Sequence, residues 1–93
     1  MPPAEPIREY VFTAHATTEM ARRGLDEELI REVLAQPEQR LPVRPGRDVL
    51  QSRREMEGVT YLIRVFVDVD RSPPEVVTAY RTSKVDKYWR KET

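Results

Sequence analysis

The sequence predicts an α+β domain in which an N-terminal helical hairpin packs on a three- to four-stranded antiparallel sheet. Three observations lead there. Residues 13–36 repeat apolar side chains at helical spacing, with one break at Gly24-Leu25. After Pro37 the period changes to alternation, most clearly over 59–69. Every connection is short, which makes consecutive strands antiparallel and makes two helices on one sheet face the economical packing.

Residues 1–9 hold three prolines and no period, and read as a flexible leader, its late part able to pair as a short edge, ahead of a single domain over 10–93. Tyr10, Val11 and Phe12 lead into a helix start with Thr13 as N-cap. The helix runs over 14–23, placing Ala16, Met20 and Arg23 on one face, and Gly24 suits its C-terminal end. Asp26 offers a second N-cap, and Glu27 and Glu28 suit the positive helix end. Leu29, Ile30, Val33 and Leu34 form one apolar stripe. Gln36-Pro37 stops the helix, because the residue before proline is pushed out of the helical region.

A short strand over 40–43 follows, confined by Pro42 and Pro45 to an edge or a bulge. Residues 47–55 are polar and strand-like, and Glu57-Gly58 marks a turn. Over 59–69 the odd positions Val59, Tyr61, Ile63, Val65, Val67 and Val69 are all apolar and must meet the helices. The even face carries Leu62 and Phe66, which need cover, with Arg64 between them. A final strand spans 75–82, and 83–91 is a basic tail bearing Tyr88 and Trp89.

Composition narrows the chemistry. The absence of cysteine excludes disulfides, thiolate metal sites and a cysteine nucleophile. No apolar run approaches the roughly 18–20 residues that cross a bilayer, and the N-terminus lacks a signal pattern, so the expectation is a cytoplasmic protein with no membrane association. Sixteen basic residues balance sixteen acidic ones, which argues against a protein that coats nucleic acid over its whole surface. The charge is uneven, however. Residues 81–91 hold five cations against Asp86, and 26–38 hold five carboxylates against Arg31.

His15, the one histidine, follows a helix N-cap, where the positive dipole favours the neutral imidazole that a general base needs. The alternative is a surface or half-buried histidine with a structural hydrogen bond. With one histidine and no HxxxH spacing, no metal site and no cofactor is expected. Arg23 suits a helix C-terminus by charge, and its planar fork also suits a phosphate. Along 80–89, Tyr80 and Thr82 share one strand face and Arg81 points to the other. Metal-free cleavage of RNA needs a base for the 2′-hydroxyl, cations for the phosphorane and an acid for the leaving oxygen. His15, Tyr80 and Lys84 are the catalytic candidates. Arg23, Arg64, Arg81, Thr82, Lys87 and Tyr88 are the substrate-binding ones, with Tyr88 or Trp89 available to stack on a base. The other reading of this tail is a solvated segment whose rings dock on the core.

The pattern Phe12-Thr13-x-His15-Ala16-x3-Met20-x2-Arg23-Gly24-Leu25, then Glu28-x-Ile30-x2-Val33-Leu34-x2-Pro37-Glu38, then Val76-Val77-Thr78-x-Tyr80-Arg81-Thr82-Ser83-Lys84-x2-Lys87-Tyr88 resembles the family called domain of unknown function 4258. Where that family shows an arginine before the methionine, this chain has Glu19. The family in turn resembles RelE-like bacterial toxins, which set helices against an antiparallel sheet and cleave RNA without metal. The resemblance implies RNA as substrate, an antitoxin-like protein as partner, and His15, Arg23, Tyr80, Thr82, Lys84, Lys87 and Tyr88 as the matched polar residues. Two readings follow. One is an RNA-binding or RNA-cleaving toxin-like domain whose site joins His15 to the stretch 80–84. The other is a non-catalytic, antitoxin-like or accessory interaction module.

Overall fold

A computed structural model describes residues 4–91. Its elements are β1 (Val11–Phe12), α1 (Ala14–Arg22), α2 (Glu27–Ala35), β2 (Gln39–Arg44), β3 (Arg47–Met56), β4 (Val59–Asp68), β5 (Glu75–Thr82) and α3 (Val85–Tyr88). Both N-caps form as the side chains dictate. The Thr13 hydroxyl accepts the Ala16 N–H at 3.0 Å and the Asp26 carboxylate accepts the Glu28 N–H at 3.2 Å. Gly24, at φ +65°, turns the chain out of α1 in the left-handed region that glycine enters freely.

The strands form one sheet in the order β1-β5-β4-β3-β2. It has five strands and is mixed, where three or four antiparallel strands were expected. The difference is β1, which pairs parallel to β5, with Val11 opposite Glu75 and Phe12 opposite Val76. A two-residue strand has no period to read, and its partner lies near the other end of the chain. β2 is an edge strand whose register shifts between Pro42 and Arg44, the place proline tolerates. Between β3 and β4, Glu57 and Gly58 both take positive φ, 52° and 78°, the geometry of a two-residue hairpin turn that follows strand twist.

The helices cover one sheet face. α1 packs chiefly on β5, and α2 on β4 and β3. Each rests on the sheet more than on the other helix. The core joins Ala16, Met20, Ile30, Val33 and Leu34 to Leu50, Ile63, Val65, Val67 and Ala79. Ile63, Val65 and Val67 of β4 thus meet the helices, as alternation requires, while Val59, at the hairpin end of the strand, is exposed instead. Residues 1–3 of the expected leader lie outside the described residues, as do 92–93 of the tail. Within 4–9, Ile7 is buried in the core and its N–H donates to the Leu34 carbonyl at 3.0 Å.

Candidate functional site

The second face of the sheet carries the even positions of β4, and the strand register lines them up in rows. One row crosses four strands: Gln39 lies opposite Gln51, Gln51 opposite Arg64, and Arg64 opposite Tyr80. Hydrogen bonds run its whole length. Gln51 Nε2 donates to Gln39 Oε1 at 2.8 Å, Arg64 Nε donates to Gln51 Oε1 at 2.8 Å, and Arg64 Nη1 donates to the Tyr80 hydroxyl at 2.8 Å. Gln51 is 0% exposed. Burial of an amide is tolerable only when its donors and acceptor are satisfied, and the row satisfies them.

Aromatic rings enclose Arg64. Its guanidinium carbon sits 4.4 Å from the Tyr88 ring centre, 5.3 Å from Phe66 and 5.8 Å from Tyr80. Phe66 stacks on Tyr80 at 5.9 Å, and Tyr80 meets Tyr88 edge-on at 6.3 Å. Such ring faces attract a cation. The tail supplies Tyr88 by folding α3 back onto β4. It is fastened to the row through Gln51 Nε2, which donates to the Tyr88 carbonyl at 3.1 Å, and through Gln39, which donates to the Arg90 carbonyl at 2.6 Å and accepts the Arg90 N–H at 3.1 Å. Arg53 stacks over Trp89 at 4.0 Å. Leu62 also faces away from the helices and is nonetheless fully buried.

Six ion pairs form among the described residues, and none uses Arg64. A half-buried guanidinium held by neutral partners keeps its charge available. Nearby, the Lys87 ammonium, with Tyr80 and Arg64 behind it, holds the Tyr88 phenol below its ordinary value. At the flank of the face, Arg53 holds the Glu38 carboxyl below its ordinary value, and Arg47 does the same for Asp68. Among the described residues no group of three or more His, Asp or Glu side chains is arranged to hold a metal, and no helix is long and apolar enough to cross a membrane.

The structure divides the expected site residues between the two faces. Arg64, Tyr80 and Tyr88 come together, with Thr82 on the same strand face and Lys84 and Lys87 on the tail that covers it. His15 is exposed on the first turn of α1, on the helix side. Thr13, two residues earlier, donates its N–H to the Val76 carbonyl at 3.0 Å. Tyr80 lies four residues further along β5, about 13 Å at strand rise, and points through the other face. Arg23 is engaged elsewhere. It donates to Thr78 Oγ1 at 3.2 Å and to the Ala79 carbonyl at 2.7 Å, and pairs with Glu19 at 3.3 Å. Glu19 therefore serves Arg22 and Arg23. Arg81 leans over Tyr61 at 4.8 Å on the helix side. Sequence reasoning missed Gln39, Gln51 and Phe66 as members of the site. The polar, strand-like character of 47–55 was the available signal for Gln51, but alternation alone does not say which polar residue is buried.

The sequence model of the family described as "Domain of unknown function (DUF4258)" matches residues 12–81. The chain belongs to the DUF4258 family. No curated protein and no solved structure matches it. Gln39, Gln51, Arg64 and Tyr80 all fall within the DUF4258 match, while Tyr88, which completes the cage, and the two lysines Lys84 and Lys87 lie beyond its end.

Proposed function

We propose that the second sheet face binds single-stranded RNA, with Arg64 as the phosphate ligand. One observation carries the reading: Arg64 is caged, oriented and without a carboxylate. Of the five N–H groups of a guanidinium, two are used by Gln51 and Tyr80. The others remain to grip two phosphate oxygens, the arrangement arginine favours. Lys84 and Lys87 add charge along the approach, and the rings of Tyr88 and Trp89 suit unpaired bases, which stack on aromatics whatever their identity. The reading is that of a RelE-like bacterial toxin domain working in the cytoplasm and opposed by an antitoxin-like protein.

Cleavage without metal is the sharper form of the proposal. The 2′-oxygen attacks phosphorus as its proton passes to a base, and the 5′-oxygen leaves as it takes a proton from an acid. The phenols of Tyr88 and Tyr80 flank Arg64, and the cationic surroundings of Tyr88 favour its phenolate. His15 takes no part in this version. The position of His15, on the helix side, favours the alternative that the face binds without cleaving.

The test is binding of a labelled single-stranded oligoribonucleotide in EDTA, followed by gel analysis of the RNA. Arg64→Ala is expected to weaken binding by about ten- to a hundredfold, the worth of charge-assisted hydrogen bonds, and Arg64→Lys by less. Tyr88→Phe abolishes any cleavage and His15→Ala leaves it intact. Equal binding by wild type and Arg64→Ala removes the proposal, and binding without cleavage selects the non-catalytic alternative.

A further inference from the structure

We infer that Gln39 and Gln51 form a latch that couples docking of the C-terminal tail to the anion-binding state of Arg64, so that the tail is a working part of the site and Gln51 is its positioning residue. The inference rests on the RNA reading for its consequence and on geometry alone for its mechanism. Gln51 has one buried amide and spends it on three partners: Gln39, the Tyr88 carbonyl and Arg64 Nε. The same side chain therefore holds the tail and aims the guanidinium. Gln39 extends the latch by gripping both the carbonyl and the N–H of Arg90, as a neighbouring strand would. These two glutamines hold the backbone of the tail, and Arg64 receives the Tyr88 ring. Tail docking also brings Lys87 alongside, its ammonium 5.3 Å from the Tyr88 ring centre. A docked tail thus fixes the cation, shields it and adds a second one. Each change favours an anion, so tail docking and anion binding reinforce one another, and by linkage the effect is reciprocal.

Trp89 is the one tryptophan in the chain, so its quenching by acrylamide reports the tail directly. Gln39→Ala cuts the latch without touching Arg64, and its Trp89 quenching is expected to rise toward that of the urea-unfolded protein while far-UV circular dichroism stays native. Gln39→Glu keeps an acceptor for the Arg90 N–H, loses the donor and falls between. Arg64→Ala, which leaves every Gln39 bond to the tail in place, is also expected to raise quenching, because the tail loses the cation under Tyr88. In the binding arm, Gln39→Ala weakens the oligoribonucleotide by about three- to tenfold, the worth of one or two neutral hydrogen bonds. Wild-type quenching in either alanine variant overturns the latch, as does a Gln39→Ala protein with an exposed Trp89 and undiminished affinity while Arg64→Ala weakens binding. If Arg64→Ala exposes Trp89 but no variant alters binding, the coupling within the protein stands and the RNA reading falls.

Discussion

Arg64 and Arg23 are both arginines beside β5, and their surroundings give them different work. Arg23 has a carboxylate, a hydroxyl and a carbonyl as partners, so its donors are committed to fastening the end of α1 to the strand. Arg64 has an amide, a phenol and three rings, and no carboxylate. Arg23→Ala is therefore expected to lower stability by about 1 kcal/mol through lost hydrogen bonds, read as a shift in the urea midpoint, with RNA affinity held near wild type. Arg64→Ala should lower RNA affinity and stability together, because it also strips the buried Gln51 side-chain carbonyl of its donor. The family pattern marks Arg23 and Tyr80 alike, but only coordinates reveal that one of the two is already engaged. Gly46 is another position set by its neighbours. At φ +83° its backbone lies in the left-handed region that strains other residues, and a β-carbon there would also displace the Asp70 carboxylate, so the turn between β2 and β3 favours glycine.

At the scale of elements, the hairpin joining β3 and β4 illustrates a local rule that the residues only half obey. Both turn positions need positive φ, yet the first is Glu57. Glu57→Asn is expected to stabilise the protein by about 0.5 kcal/mol and Gly58→Ala to destabilise it by about 1 kcal/mol, both read from thermal unfolding. The β2 and β3 edge carries its own pH signature. Glu38 accepts two side-chain hydrogen bonds from Arg53 and one from its backbone N–H, and its carboxyl is held below the ordinary value. A depressed folded-state value means the stabilisation is complete above the ordinary carboxylate range and is lost as the pH falls through the depressed one. Stability should accordingly decline from about pH 5 downward, and Glu38→Gln should flatten that decline in urea titrations at a series of pH values. The pair is half exposed, so the change is modest. The elements themselves were plain in the sequence. β5 spans the expected residues, both helix caps are the expected ones, and Pro42 sits at a bulge in an edge strand. β1 and α3 were not legible, since two residues and one turn are too short to show a period.

For the whole molecule, stability rests on the apolar layer between helices and sheet. Leu34 is fully buried there among Ile30, Val33 and the odd residues of β4. Leu34→Ala should cost about 2–5 kcal/mol, a large fraction of the roughly 5–15 kcal/mol available to a domain, and would appear as partial unfolding near room temperature by circular dichroism. By itself the sequence determined α1 and α2, their N-caps, the strands β2 to β5 and the two faces of β4, because those follow from short-range periodicity and local hydrogen bonding. Tertiary structure alone decided that Gln39, Gln51, Arg64 and Tyr80 share one row, that β1 closes the sheet in parallel, and that His15 stands on the other side from Tyr80. Alternation assigns a residue to a face but not to a partner. Partners come from strand register, which is chosen by the packing of the whole sheet between its helices and its tail.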